Sequence, residues 1–223
     1  MTNYDRPPQR ALLEIMSSTH SIGLLNGEMC GDPLDIEMLK GTGFEYKTEQ
    51  ENYNFLIEAI IEPNAKFKEI FENDCKNPSE KVSENMNEDK SDSDDEASNT
   101  NGENSIDFAV IKRFDFSSQL QRMSVITRGL NDTKFRVFSK GSPEKIKELS
   151  LPETIPDDFH EILTEYTQSG LRVLGVACKV LQEISYEKIQ SKTRDEFEYD
   201  LVFCGFLIME NMLKPETAGV IDI

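Results

Sequence analysis

The chain has 223 residues, 37% of them hydrophobic and 13 of them phenylalanine, enough to bury a real core as one large domain or two small ones. Its formal charge of −18, from 42 acidic and 24 basic residues, argues against nucleic-acid binding, which needs a basic face. Two histidines, and four cysteines without a Cys-x-x-Cys pair, argue against zinc and suit reduced thiols in a cytosolic setting.

No signal peptide and no apolar run of membrane-spanning length is seen, so the chain is expected to be soluble, alone or as one piece of a membrane protein. Residues 1–9, with Pro7 and Pro8, read as a polar lead-in. From Arg10 the apolar Leu12, Leu13, Ile15 and Met16 predict a helix that continues or restarts over residues 18–25. His20 has no partner at ligand spacing, which favours a packed or capping histidine over a metal ligand. In Gly31-Asp-Pro-Leu-Asp-Ile-Glu-Met-Leu39, Asp32 predicts an N-cap, Pro33 the first helical residue and Gly41 the C-terminal stop. Asp35 and Glu37 then suit the first turn, where carboxylates complement the helix dipole. Asp35 has a second reading, as an acceptor facing a ligand's hydrogen-bond donor.

Residues 43–48 predict a short strand, and residues 53–61 a strand or a helix. Residues 72–105 hold 11 acids against three lysines, −8 of the −18, around Ser91-Asp-Ser-Asp-Asp-Glu96. Such a segment buries too little apolar surface to offset its ordering entropy. It is expected to be a disordered acidic insertion within one domain of residues 1–223. Strand pattern resumes over 106–114, 122–127 and 134–139, with a turn at 129–133. A short helix is expected at 143–149 and an amphipathic one at 156–169, stopping at Gly170. Buried strands follow at 171–181 and 201–209, separated by a polar helix that Ser185 caps and that runs to about Phe197. Residues 210–223 leave the core. The fold class is α/β (α+β), a largely antiparallel twisted sheet flanked by helices.

Two stretches carry the chemistry. Phe114-Asp-Phe-Ser-Ser-Gln-Leu-Gln-Arg-Met-Ser-Val-Ile126 places the aromatic Phe116 shortly before a strand with Arg122. Ser139-Lys-Gly-Ser-Pro-Glu144 places Lys140 at a strand end beside Gly141, which lets a ligand approach the backbone. An aromatic plane and cations on neighbouring strands suit a flat, anionic ligand such as a nucleotide. The same residues also read as an ordinary sheet with a core phenylalanine and a solvated lysine.

Lys140-Gly-Ser-Pro-Glu144 resembles the Lys-Gly-Ala/Ser-Pro-Glu motif of the nucleotide-binding domain of P-type ATPases, and Phe116 through Val125 resembles that domain's Phe-(x)6-Met-Ser-Val stretch. Gly31-Asp-Pro-Leu-Asp35 is similar to its acidic helix start. Ser169-Gly-Leu-Arg172 with Val173-Leu-Gly-Val-Ala177 is similar to its Gly-x-Arg-x-Leu-x-x-Ala strand. Glu210-Asn-Met-Leu-Lys-Pro-Glu-Thr217 resembles the exit toward the phosphorylation domain. The matches run in order over most of the chain and are most like the type V subfamily, its polyamine-exporting branch above the endoplasmic-reticulum one.

The resemblance implies that Phe116 stacks on adenine, that Lys140 lines the pocket, and that Arg172 reaches the phosphates. It implies that Asp35 meets the adenine edge with Asp32 nearby, and that Gly141 lets the nucleotide lie close. Arg122 and Ser118 are second-rank candidates. It further implies ATP or ADP as ligand, with Mg2+ on the phosphates and liganded mainly outside this chain. The fragment would be a monomer without nucleic-acid partners. It would work with phosphorylation, actuator and transmembrane domains, as the cytoplasmic part of an integral membrane protein. No Asp-Lys-Thr-Gly-Thr segment occurs, so the chain alone is expected to bind ATP without hydrolysing it. Two readings stand beside this: a non-enzymatic acidic module that recruits a basic partner, and a phosphotransfer or hydrolase domain with an incidental Lys-Gly-Ser-Pro-Glu.

Overall fold

A computed structural model describes residues 8–47, 57–66, 68 and 107–210. The expected insertion at 72–105 and the exit beyond Glu210 lie outside the described residues. Helix α1 (Pro8–Ser18) is followed by a hairpin of β1 (Gly23–Leu25) and β2 (Glu28–Cys30), then helix α2 (Pro33–Thr42). Strands β3 (Phe44–Lys47), β4 (Ala59–Pro63), β5 (Phe108–Ser117), β6 (Arg122–Gly129) and β7 (Phe135–Gly141) come next. Helices α3 (Pro143–Leu149) and α4 (Phe159–Gln168), strand β8 (Arg172–Leu181), helix α5 (Tyr186–Ser191) and strand β9 (Val202–Met209) complete the domain.

Strands β3 to β9 form one sheet in sequence order, each antiparallel to the next. Side-chain alternation gives the sheet two apolar faces. Val125, Phe138 and Val176 pack with Ile15 of α1 and Leu39 of α2 on one face. Ile126 and Val137 pack with Ile189 of α5 and Phe197 on the other. On that second face α3 closes over β8, where a Cβ at Gly175 would lie 3.0 Å from the Ile146 Cβ. The connection from Pro63 to Phe108 joins neighbouring strands, since Ile61 pairs with Phe108 and Ala59 with Val110.

Three expectations about helices are corrected, two in the N-terminal third and one after Ser185. The first helix does not continue through 18–25. The hydroxyls of Ser17, Ser18 and Thr19 turn back onto helix carbonyls, the Thr19 hydroxyl at 2.6 Å from the Ile15 carbonyl. The chain then forms the β1–β2 hairpin around Asn26 (φ 53°) and Gly27 (φ 82°). Helix α2 also passes Gly41 and ends at Thr42, with Gly43 as its left-handed cap (φ 74°). The polar helix after Ser185 is short: α5 ends at Ser191, and a separate 3-10 turn covers Arg194–Glu196.

Candidate functional site

The Asp32-Pro33 start of α2 fixes where Asp35 lies. Asp32 is extended (φ −61°, ψ 128°), and its Oδ1 accepts from the Leu34 amide at 2.8 Å, as an N-cap does. This sets the first turn of α2 over the end of the sheet where β6 begins and β7 finishes. Asp35 Oδ1 there accepts from the Lys140 ammonium.

Lys140 sits between Met123 of β6 and Val176 of β8, with only 6% of its side chain exposed, against 13% for Asp35. Its sulfur neighbour Met38 lies 3.9 Å from Nζ. Burial lowers the Lys140 pKa below the ordinary lysine value; the Asp35 charge opposes that shift, and Arg172 adds to it. The Asp35 carboxylate, with Asp32 behind it, thus favours the charged form of a buried amine.

Phe116 reaches the same place by a bulge. Phe114 pairs with Ser124 and Ser117 with Arg122, so β5 carries one residue more than β6 across this interval. The extra residue reverses the alternation. Phe114 packs on the far face against Phe197, ring centroids 6.0 Å apart. Phe116 emerges on the Lys140 face and is 60% exposed.

A cavity of about 200 Å3 results. Its sheet side is Phe116, Met123, Lys140, Gly141, Arg172 and Leu174; Asp32, Leu34, Asp35 and Ser21 close it from the helix side. It offers an open aromatic plane, an apolar lining, a paired ammonium, a guanidinium and carboxylates that can accept from a ligand N–H. Among the described residues two larger clefts occur, one of about 430 Å3 beside Lys179 and Tyr199, and one of about 580 Å3 beside Met16 and Met209 that adjoins the cavity and shares Asp32, Leu34 and Arg172 with it. Neither joins an open aromatic face to a buried cation.

Six of the eight residues expected from the sequence therefore line one cavity: Phe116, Lys140, Gly141, Arg172, Asp35 and Asp32. Arg122 and Ser118 do not. The Arg122 guanidinium is committed to the buried Glu198, Nε to Oε2 at 2.6 Å, and Ser118 is exposed in the β5–β6 turn. The reason for glycine at 141 also differs from the expectation. A Cβ there would come within 2.4 Å of the Gln121 carbonyl oxygen and 2.7 Å of the Arg122 Cβ, so close passage of β6 already demands glycine. Sequence reasoning did not count Leu34, Met123, Leu174 and Ser21 among the site residues. The first three lay inside the quoted motifs; nothing in the sequence singled out Ser21.

His20 is fully buried beside this site. Its Nε2 lies 2.7 Å from the Ser17 carbonyl, its Nδ1 3.4 Å from the Ile22 amide, and its ring meets Tyr46 edge-on at 5.2 Å. Burial lowers its pKa to about 4, so the ring is neutral near pH 7, donating from Nε2 and accepting at Nδ1.

Residues 90–216 match the family described as P-type ATPase, cytoplasmic domain N. The chain belongs to that family. It is 33% identical over 217 residues to the human polyamine-transporting ATPase 13A3, covering 93% of this chain and 16% of that protein. It is 36% identical over 217 residues to the human probable cation-transporting ATPase 13A5, covering 96% and 15%. It is 35% identical over 202 residues to the vacuolar cation-transporting ATPase YPK9 of Saccharomyces cerevisiae, covering 89% and 13%. The chain thus spans between about an eighth and a sixth of the length of these relatives. The seven-strand antiparallel sheet with flanking helices is consistent with an N domain of this family.

Proposed function

We propose that this chain is the ATP-binding part of a P-type cation- or polyamine-transporting ATPase, and that the cavity between Phe116 and the Lys140–Asp35 pair seats the nucleotide. The observation that carries the reading is the meeting of an open aromatic ring with a buried, carboxylate-held ammonium in one cavity of an N domain. Phe116 stacks on the adenine, an interaction worth about 1–3 kcal/mol per base on an aromatic platform. Met123, Leu34 and Leu174 supply the apolar lining for the ring, and Asp35 and Asp32 accept from its exocyclic amine. A space of about 200 Å3 fits a base better than a whole nucleotide. The ribose and phosphates then extend toward Arg172 at the mouth, with Mg2+ travelling on the phosphates.

The chain would carry ATP to an aspartate outside it, since no Asp-Lys-Thr-Gly-Thr segment is present. Among the described residues no helix is long and apolar enough to cross a membrane. We place the domain on the cytoplasmic side of a membrane protein. Transport of a cation or polyamine is proposed from the named activities of the relatives.

Calorimetric titration with ATP and ADP tests this. One stack and few cations predict a dissociation constant on the order of 0.1–1 mM, with the Lys140→Ala variant weaker. Absence of binding at about 10 mM nucleotide, well above that range, overturns the reading.

A further inference from the structure

We propose that Arg194, backed by Glu198, is a positioning residue for Phe116: it clamps the β5 bulge that turns the aromatic ring toward the cavity. The functional meaning rests on the cavity being a nucleotide seat; the clamp itself is argued from contacts alone.

Arg194 opens the 3-10 turn between α5 and β9, far in sequence from the β5–β6 hairpin. Its Nη2 donates to the Asp115 carbonyl of β5, and its Nη1 to the Arg122 carbonyl of β6 at 3.5 Å. These carbonyls belong to the two sides of the bulge. The Arg194 Nε faces Glu198 Oε1 at 3.5 Å, and its Cζ lies 5.7 Å from the centre of the Phe114 ring. Glu198 is anchored in turn: its side chain is 0% exposed and takes Arg122 Nε at 2.6 Å and the Ser124 hydroxyl. One guanidinium therefore ties both strands of the bulged hairpin to a buried carboxylate.

A bulge needs such a tie, because its extra residue disrupts the ladder locally. A slip of one residue would return Phe116 to the opposite face, where the ring could not meet the cavity. Holding two carbonyls and a carboxylate at once suits the planar fork of arginine; lysine has a single ammonium at the end of a flexible stem. Lys112 is the natural control. Its Nζ also lies near Phe114, 5.2 Å from the ring centre, but donates to the carbonyls of Ile189, Gln190 and Lys192 instead of to the bulge.

The chain contains no tryptophan, so Phe116→Trp installs a single indole at the seat, excited selectively over the six tyrosines. In that background the clamp predicts lower indole anisotropy for both Arg194→Ala and Arg194→Lys, with Lys112→Met unchanged. ATP affinity, read from the same indole, should fall by up to roughly tenfold in the Arg194 variants, since a misplaced ring forfeits part of its stacking on the base. Arg194→Lys keeps a charge beside Glu198 and decides the matter if Arg194→Ala fails to fold. Unchanged anisotropy in the Arg194 variants, or full restoration by lysine, overturns the clamp whether or not ATP binds. A Phe116→Trp chain that ignores ATP but loses anisotropy in the Arg194 variants supports the clamp and refutes the seat.

Discussion

Phe114 and Phe116, two residues apart on β5, face opposite sides of the sheet. Phe114 lies against Phe197, 6.0 Å between ring centroids, while Phe116 borders the cavity with Lys140. Simple alternation assigns them to the same side; the bulge between Phe114 and Ser117 separates them. Packing and the proposed binding are thus divided between two otherwise similar side chains.

Truncating each should separate the two roles. Phe114→Ala removes a half-buried ring and is expected to cost up to roughly 3 kcal/mol of stability, the low end for a core aromatic, with little change in ATP affinity. Phe116→Ala should remove about 1–3 kcal/mol of binding with a smaller loss of stability. Urea midpoints and ATP affinities of both variants check this. Loss of binding in Phe114→Ala alone would show that the wrong ring has been assigned to the seat.

The Lys140–Asp35 pair predicts an asymmetric mutational response. Asp35→Asn leaves a buried ammonium without its counter-charge and should cost roughly 3 kcal/mol or more. It should also lower the Lys140 pKa further, because Asp32 then remains to oppose burial and Arg172 without the nearer carboxylate. The double variant Asp35→Asn/Lys140→Met should be more stable than Asp35→Asn alone. Denaturant unfolding of the three proteins measures it, and an equally unstable double variant would contradict the pairing argument.

His20 gives the fold a defined response to acid. Its folded pKa of about 4 lies below the ordinary 6.5, so the fold favours the neutral ring. The unfolded chain therefore takes up the proton first. Stability from this residue is complete above pH 6.5 and is lost as pH falls toward 4. Between pH 7.5 and 5 the loss should be about 2 kcal/mol. A His20→Phe variant, compared by urea unfolding across the same interval, should lack that part of the slope; parallel curves would refute the assignment.

Much of the sheet was legible because strand signals are local. The alternating residues of 134–139 and the apolar runs at 171–181 and 201–209 became β7, β8 and β9. The Asp32-Pro33 cap and the Ser142-Pro143 start of α3 were likewise legible, since a cap satisfies its own helix. Asn26-Gly27 was an equally local hairpin signal, overridden by extending the helix pattern past Ser18. What could not be read locally depends on distant partners. Arg122 looked like a site cation until Glu198, far along the chain, claimed it. Gly141 looked like a ligand-approach glycine, but its Cβ position is taken by the backbone of β6. Cavity-lining residues from α2, β5, β6, β7 and β8 converge only through the fold; the sequence motifs contain most of them without their geometry.

Residues 72–105 are proposed to be an insertion without a part in the core. They are poor in apolar residues, and the longer connection that contains them leaves and re-enters at the adjacent strands β4 and β5. Deleting them should leave the thermal midpoint within a few degrees, the shift expected for well under about 1 kcal/mol. A large fall would show that they contribute to the folded domain.

The most direct test of the nucleotide seat is a titration of the 15N-labelled chain with ATP, followed by amide chemical shifts. The seat predicts saturable shifts centred on Asp35, Phe116, Met123, Lys140, Gly141 and Arg172, with a common dissociation constant on the order of 0.1–1 mM. They should weaken together in Phe116→Ala. Shifts centred instead on the cleft of Lys179 and Tyr199, or none at about 10 mM ATP, would contradict it.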